Sequence, residues 1–255
     1  MRDLLHVTDA EAAAARNVRL YYAFNLLMDF GLWMGIWIKY LTVSRGLELK
    51  WILIMDVPFW LMVAALEAPF GALADRIGRK RVLALGGAAM SLTILGFGFT
   101  TNYWLLFADY MLWAVAMALR SGADQALIYD SLKDAGREST FAKVVGRGFS
   151  FMLGSTLAGI LLGGVLATQT SLAFTVQVSM VGPALAAVAA LLMVEPAMVK
   201  TGRSYVSELV RGVRFTWGTP QIRYTVLLGS LLMIAGFLPV FLTQPFLIEH
   251  DVATG

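Results

Sequence analysis

Seven long apolar blocks constrain this chain more than any other feature of its sequence. They cover residues 18–41, 51–73, 82–99, 103–127, 144–167, 172–194 and 224–247. At about 1.5 Å of rise per residue, each block is long enough as a helix to cross a hydrocarbon core about 30 Å thick. Barrel strands are only about ten residues long and alternate in polarity, which these blocks do not. The sequence therefore predicts an all-α integral membrane protein.

The distribution of charge predicts the orientation of the chain. Only 15% of the residues are charged, and most of the 20 Lys and Arg residues lie between the apolar blocks. Sixteen of them fall on the side that carries the N-terminus and three on the other. The positive-inside rule then places the N-terminus in the cytoplasm of a multi-pass protein, and we expect a bacterial inner membrane. This placement accounts for the net charge of +3 without a nucleic-acid partner.

Several classes of chemistry are not supported by the residues present. The chain has no cysteine, and its two histidines, His6 and His250, lie at opposite ends. Disulfides, thiolate chemistry and a histidine-built metal site are therefore not expected. The phosphate-binding G-x-x-x-x-G-K-[ST], H-E-x-x-H and G-x-S-x-G motifs are also missing from the sequence. We expect neither an enzyme nor a bound metal or cofactor.

The spacing of the blocks predicts four regions. These are a cytoplasmic N-terminus (1–17), a six-helix bundle (18–194), a cytoplasmic linker (195–223) and the first helix of a second bundle (224–255). In the linker, apolar residues at helical spacing among charged ones predict an amphipathic helix on the membrane surface: Tyr205, Leu209, Val210, Val213 and Trp217. The chain stops just past the seventh block, which predicts a fragment whose second bundle is truncated.

The loop after the second block carries the most specific motif, Gly71-Ala-Leu-Ala-Asp75-Arg76-Ile-Gly78-Arg79-Lys80. It resembles the signature G-x-L-a-D-r-x-G-r-k-x-x-l of the major facilitator superfamily at every defined position. The preceding Glu67-Ala-Pro69 is similar to bacterial drug-efflux members of that family. The resemblance implies the N-terminal six-helix bundle and the seventh helix of a twelve-helix transporter.

The same loop has a physical interpretation of its own. Gly71 and Gly78 permit a tight turn and a close approach of two helix ends, and Asp75 can pair with Arg79 across the turn. An ordinary positive-inside loop remains the alternative. The resemblance implies a conformational latch in which an acidic residue at the end of the fourth helix joins the pair. The predicted latch residues are Gly71, Asp75, Arg76, Gly78, Arg79, Lys80 and Asp130.

Ionisable groups inside the apolar blocks form a second set of candidates. A lone charge at mid-membrane costs about 2.5–3.5 kcal/mol on insertion scales, so each group needs a partner or a function. Asp29 lies in the middle of the first block, one turn after Asn25, and is the first candidate for a proton carrier or a cation-binding carboxylate. A hydrogen-bonded structural role is the alternative for Asp29.

Arg120 and Asp124 lie four residues apart in the fourth block. They form either an internal salt bridge or a proton-linked switch. By resemblance, Arg120 is the counterpart of a basic residue of helix four that influences proton transfer. We expect Glu67, nearer the cytoplasmic loop, to brace that loop rather than bind substrate.

Two further patterns concern packing and the cavity. Ser155, Gly159, Gly163 and Ala167 recur at every fourth residue of the fifth block, which predicts either close static packing or a sliding surface. Aromatic side chains in the blocks are mostly packing or interface residues. Three of them are candidates for lining a cavity for hydrophobic substrates: Trp33, Trp60 and Trp113.

These observations together predict a secondary active transporter that works by alternating access. Proton-coupled efflux of hydrophobic or amphipathic compounds is the preferred function, on the strength of the resemblance. Uptake of a sugar or another metabolite is one alternative. The other is a non-transporting half that scaffolds or pairs with a second chain. The expected partners are a small-molecule substrate, protons, the lipid bilayer and the missing C-terminal half, in cis or as a partner chain.

Overall fold

A computed structural model describes residues 2–196 and 214–249, and all regular structure in those two ranges is helical. The chain divides into two compact units, Met1–Val199 and Lys200–Thr254. The described part of the first unit contains nine α-helices: α1 (Arg2–Met28), α2 (Trp37–Lys39), α3 (Leu49–Ile77), α4 (Arg79–Phe99), α5 (Tyr103–Arg120), α6 (Ala123–Asp134), α7 (Phe141–Gln169), α8 (Leu172–Val178) and α9 (Val181–Leu192). A π-helical turn (Tyr40–Ser44) follows α2, and a 3₁₀ turn (Glu138–Thr140) precedes α7.

Five stretches of the described residues are long and apolar enough to cross a membrane. They are Leu49–Ile77, Arg79–Phe99, Tyr103–Asp134, Glu138–Gln169 and Leu172–Leu192, which correspond to the second to sixth apolar blocks. Large apolar side chains point outward from them, with Leu61 68% and Leu161 63% exposed. Lipid tails are as apolar as leucine, so these outward faces suit a bilayer. The predicted all-α, multi-pass membrane fold is confirmed.

The first apolar block is not one helix, contrary to the prediction for residues 18–41. Helix α1 ends at Met28, residues 29–36 form turns, and helical structure resumes at Trp37. Two weak helix formers, Gly31 and Gly35, lie in this break. The break is packed against α7, where a Cβ atom added to Gly159 would lie only 3.0 Å from the Gly31 carbonyl oxygen. Non-helical backbone at this depth is tolerated because protein, rather than lipid, surrounds it.

Two further blocks are interrupted. The fourth is broken between α5 and α6, where Gly122 adopts a left-handed conformation with φ of +72°. Glycine adopts this conformation without the steric cost that a Cβ atom imposes. The sixth is divided at Ser179 and Met180, and Pro183 follows in the first turn of α9, where a missing amide hydrogen is tolerated.

Helix α4 packs against α5 and α9, and α1 packs against α6, α7 and α9. We call the end of the bundle that holds the turns at Gly78 and Gly136 the basic end, and the opposite end the far end. The buried core toward the basic end joins α1, α4 and α6 through Phe24, Val82 and Leu127. At the far end, Arg45 donates to the Gly98 carbonyl oxygen at 2.7 Å. This bond satisfies a carbonyl at the end of α4, which a helix leaves free.

The second unit contains helix α10 (Pro220–Glu249), whose 30 residues include the predicted seventh span. Residues 214–218 are also helical, and Trp217 lies among them. The rest of the predicted amphipathic segment, from Tyr205 to Val213, falls outside the described residues, as does His250. The predicted domain boundaries stay predictions.

Candidate functional site

The break in the first span brings Asp29 together with the end of α5. Arg120 forms an ion pair with Asp29, in which Nη1 donates to Oδ1 at 3.0 Å and Nη2 lies 2.7 Å from Oδ2. Nη2 also donates to the side-chain oxygen of Asn25 at 3.0 Å. Among the described residues Oδ2 accepts no hydrogen bond, so the pair combines one charge-assisted hydrogen bond with a close contact of opposite charges. Sequence analysis named all three residues, and the structure places them in one cluster.

Neighbouring groups hold this cluster in position. The buried Asn25 donates through Nδ2 to the Tyr21 carbonyl oxygen at 2.8 Å, which fixes its oxygen toward Arg120. The Arg120 guanidinium lies 5.6 Å from the centre of the Phe24 ring. Thr156 of α7 donates to the Asp29 carbonyl oxygen at 3.3 Å. The ion pair therefore joins α1, α5 and α7 inside the bundle.

Arg120 pairs with Asp29 and not with Asp124, which corrects the salt bridge inferred from their spacing of four residues. That spacing brings side chains together only within one continuous helix. Here α5 ends at Arg120 and Gly122 turns the chain before α6 begins. Asp124 lies buried in the first turn of α6, and its Oδ1 accepts from the Gln125 amide at 2.6 Å. A carboxylate at a helix N-terminus is stabilised by the helix dipole.

Glu67 of α3 contacts the same break. Its Oε1 accepts a hydrogen bond from the Ser121 hydroxyl at 2.7 Å. The structure therefore connects Glu67 to the α5–α6 junction, one residue from Arg120. The role of Glu67 as a brace for the loop after α3 stays a prediction.

The far half of the bundle holds a cluster of aromatic rings. Trp33, Phe59 and Tyr110 each contact Trp113, with ring centres 5.2, 4.8 and 5.5 Å away. Trp33 is 6% exposed, and Trp60 is 40% exposed on the outer face, where it packs on Phe59. The structure thus places Trp33 and Trp113 together and Trp60 apart from them. Their role in lining a substrate cavity stays a prediction.

The predicted latch residues converge at the basic end. Arg79, the first residue of α4, forms an ion pair with Asp130 of α6 and donates to the Ala126 carbonyl oxygen at 2.6 Å. Its contact with Asp75 is longer, at 3.7 Å, and the Asp75 side chain is 62% exposed. Exposed ion pairs contribute little, so Asp130 is the stronger partner of Arg79.

The two glycines of this motif differ. Gly78 has a φ of +100° and connects α3 directly to α4, so a glycine is required at that turn. Gly71 lies inside α3, with nothing within 4 Å of a Cβ atom added to it. The prediction that Gly71 takes part in the turn and close approach is therefore wrong, because α3 continues as a helix to Ile77. The exposed Arg76 lies on the last turn of α3.

Glu195, which was not among the residues predicted from the sequence, completes this cluster. Its two carboxylate oxygens accept from the backbone amides of Arg79 at 2.7 Å and Lys80 at 3.0 Å. The Lys80 ammonium group donates to the Met193 carbonyl oxygen at 3.2 Å. A helix leaves its first amide hydrogens free, and an anion there also suits the helix dipole. The only signal in the sequence is an acidic residue at the end of the sixth block.

The geometry defines a helical, multi-pass membrane protein with an ion pair inside its first bundle and a charged cluster at one end. Residues 20–253 match the Major Facilitator Superfamily, and the chain belongs to that family.

Two curated relatives match shorter parts of the chain. A stretch of 77 residues is 42% identical to the methyl viologen resistance protein SmvA of Salmonella typhimurium, and it covers 30% of this chain and 15% of SmvA. A stretch of 70 residues is 34% identical to the uncharacterized MFS-type transporter MJ1317 of Methanocaldococcus jannaschii, and it covers 28% of this chain and 18% of that protein. Each match thus spans less than a fifth of the relative. No solved structure matches the chain.

Proposed function

We propose that this protein is a secondary active transporter that exports hydrophobic or amphipathic cations in exchange for protons, by alternating access. The observation that carries the proposal is the ion pair between Asp29 and Arg120 inside the bundle. A family of transporters supplies the reaction class, and an enzymatic activity is not proposed. A charged pair at this depth is costly to bury, which favours a functional role over a purely structural one.

The pair supplies a simple exchange logic. With Asp29 ionised, its charge compensates that of Arg120, and the cluster is neutral. A proton on Asp29 removes this compensation and leaves Arg120 with the neutral oxygen of Asn25. The cluster then carries one positive charge, which repels a cationic substrate nearby. Proton binding and cation binding therefore oppose each other, as antiport requires.

The substrate class rests on a relative and on the aromatic cluster. SmvA is named for resistance to methyl viologen, a flat aromatic dication, and a transporter confers resistance most directly by export. Tryptophan and tyrosine faces attract organic cations. Trp33, Tyr110 and Trp113 supply such rings in the far half of the bundle, where Trp33 and Tyr110 are buried in the aromatic cluster. The proposed partners are accordingly an organic cation, protons and the lipid bilayer.

Two features of the basic end support the proposed orientation of the chain in the membrane and a conformational change during transport. Lys and Arg are concentrated there, which by the positive-inside rule favours a cytoplasmic N-terminus in a bacterial inner membrane. The contacts of Arg79 with Asp130 and Glu195 would hold α4, α6 and the segment after α9 together in one conformation. We propose that the transport cycle breaks and re-forms these contacts.

The test compares Asp29→Asn with Asp9→Asn in the natural full-length protein. Both changes remove one carboxylate, Asp9 from α1 and Asp29 from the break that follows α1, but Asp9 is exposed near the N-terminus. Inverted membrane vesicles with an acidic interior, whose proton-motive force drives protons outward, are given radiolabelled methyl viologen, and driven accumulation is measured separately from exchange. We expect Asp29→Asn to lose driven accumulation and retain exchange, while Asp9→Asn behaves as wild type.

Two outcomes would contradict the proposal. Driven accumulation that persists in Asp29→Asn would make Asp29 a structural residue. Failure of the wild type to accumulate methyl viologen would remove the aromatic-cation substrate class from the proposal.

A further inference from the structure

Asp56 places a further carboxyl group inside a membrane span, in the part of α3 that lies in the far half of the bundle. The side chain is half-buried, and its Oδ2 atom is closed off from solvent without a hydrogen bond from any described residue. No described Lys or Arg forms an ion pair with it. A carboxyl group in a span is costly, so Asp56 calls for either a partner or a function.

The carboxyl group of Asp56 faces Tyr110 of α5, and the two side chains interact electrostatically. Tyr110 is 0% exposed, and its hydroxyl makes no well-formed hydrogen bond with a described residue. The ring of Tyr110 is surrounded by rings of the same unit: Trp37, Phe59, Phe97 and Trp113. The contact between Asp56 and Tyr110 is therefore internal to the first unit and does not depend on what covers the outer face of α3.

The other ionisable groups near this pair are directed elsewhere. Helices α4 and α5 pack against α3, and α4 has no ionisable residue from Val82 to Phe99. Further ionisable side chains of the far half contact different partners: Asp109 packs against Gly96, Tyr103 contacts Trp51, Lys50 pairs with Glu48, and Arg45 donates to the Gly98 carbonyl oxygen. Tyr110 is thus the titratable group that faces Asp56 from the helices packed against α3.

A tyrosine hydroxyl suits a carboxyl group that gains and loses a proton. It donates to the ionised carboxylate, and after its hydrogen turns away it accepts from the protonated carboxyl group. An arginine can only donate, so it suits the ionised form alone. Because Oδ2 of Asp56 and the Tyr110 hydroxyl are both closed off from solvent, a proton adds to Oδ2 without displacing the surrounding rings, whereas a larger cation would have to displace them.

Helix α3 is locally weakened beside Asp56. Pro58 lies inside the helix two residues further on and has no amide hydrogen, so one hydrogen bond of α3 is missing there. Proline is a common cause of helix bends. A bend at this point would give solvent access to the carboxyl group from the far end, where α3 begins.

We propose that Asp56 binds a second proton, at Oδ2 beside the Tyr110 hydroxyl, so that two protons are exchanged for each substrate cation. The inference rests on the proposed function and adds a proton site to it. In each cycle an O–H bond forms at Oδ2 with a proton from one side of the membrane, and the same bond breaks to release that proton on the other side. Exchange of two protons for a dication such as methyl viologen then moves no net charge.

Asp29 keeps its separate role in this scheme. Its proton opposes the substrate cation through the charge of Arg120, whereas the proton on Asp56 follows the change of conformation. Without Asp29, nothing makes proton binding and cation binding exclude each other. The loss of driven accumulation expected for Asp29→Asn therefore still holds.

Infrared difference spectroscopy of the full-length protein, between acidic and alkaline pH, tests the proton site and needs no transport. The variants are Asp56→Asn, Tyr110→Phe and the matched control Asp109→Asn, which removes another half-buried carboxyl group from the far half. We expect the wild type to show the C=O band of a protonated Asp56, Asp56→Asn to lose that band and Asp109→Asn to keep it. Tyr110→Phe should shift the band, because hydrogen bonding affects the carbonyl frequency. If Asp56→Asn loses no band, the proposal is overturned.

The number of protons exchanged is measured from the steady accumulation of methyl viologen in proteoliposomes with an acidic interior. The membrane potential is collapsed with potassium and valinomycin. At a difference of about one pH unit, each exchanged proton then contributes a factor of about ten to the accumulation ratio. We expect a ratio of about one hundred for the wild type and Asp109→Asn, and of about ten for Asp56→Asn.

The outcomes separate this inference from the proposed function. Exchange that persists in Asp56→Asn shows that the variant is folded. Equal accumulation ratios for the wild type and Asp56→Asn, or the same loss in Asp109→Asn, would overturn the assignment of the second proton to Asp56. If the wild type accumulates no methyl viologen, the proposed function fails, whereas the infrared bands still decide whether Asp56 binds a proton.

Discussion

Substitution of Gly163 by alanine tests the close contact between α7 and the broken first span. A Cβ atom at this position would lie 2.7 Å from the carbonyl carbon of Leu32 and 3.0 Å from its Cα, and closer still to its carbonyl oxygen. Ordinary contacts between carbon atoms begin near 3.5 Å, so α7 and residues 31–32 would have to separate by about 0.8 Å or more. Backbone atoms cannot turn aside as a flexible side chain does.

The cost follows from this overlap. Inserting a methyl group into a well-packed interface typically destabilises by about 1–3 kcal/mol. We therefore expect Gly163→Ala to lower the free energy of unfolding by this amount, which for a chain of this size corresponds to a melting temperature lower by about 2–10 °C. Gly154→Ala is the matched control, because nothing lies within 4 Å of a Cβ atom at that position of the same helix. It gains helix propensity of about 1 kcal/mol and should melt at or above the wild-type temperature.

Thermal unfolding in detergent, followed by tryptophan fluorescence, measures both variants. The structure requires opposite or clearly unequal shifts for the two alanines. Equal melting temperatures for Gly163→Ala and Gly154→Ala would refute the close packing of α7 on Leu32. That outcome would favour the sliding surface that the spacing of small residues also allows.

Two other substitutions test the basic end by the same melting assay. Glu195→Gln removes the anion that accepts hydrogen bonds from the backbone amides of Arg79 and Lys80. We expect this change to lower the free energy of unfolding by about 1–2 kcal/mol. The control, Glu138→Gln on an exposed 3₁₀ turn, should have no effect. Asn17→Ala leaves the Val194 amide without the side-chain oxygen that it reaches at 2.8 Å, so a loss of about 1–3 kcal/mol is expected, and wild-type stability would contradict this anchoring role.

The sequence predicts the helical fold well because membrane spans have a strong local signal. A long apolar block must be helical in lipid, whatever its neighbours are. The breaks within the blocks depend on tertiary contacts, so the sequence carries no comparable local signal for them. Gly31 and Gly122 are each compatible with a continuous helix at a cost of about 1 kcal/mol relative to alanine. Only the packing of α7 and the turn before α6 show that these glycines interrupt their spans.

In the candidate site, too, the sequence predicts some features and tertiary contacts determine the others. Charge inside an apolar block identifies Asp29 and Arg120 as candidates, since burial demands a partner. Their pairing joins residues 91 positions apart, and no local spacing predicts it. The spacing of four residues instead favours Asp124 as the partner, but α5 ends at Arg120 and the ion pair forms with Asp29. The role of Glu195 is harder still to predict from the sequence, because it depends on the end of α9 lying beside the first turn of α4.

Both members of the ion pair lie where a span is interrupted, which bears on how a change in charge could be transmitted. Asp29 begins the break after α1, and Arg120 is the last residue of α5. Inside a continuous helix such side chains would move only with the whole element, whereas a few backbone dihedrals at a break can re-aim them. The next residue, Ser121, donates to Glu67 of α3, and that helix ends at the Gly78 turn beside Arg79. A continuous set of contacts along α3 thus connects the ion pair with the charged cluster at the basic end, so loss of the contact between Asp29 and Arg120 has a physical route to the contacts of Arg79.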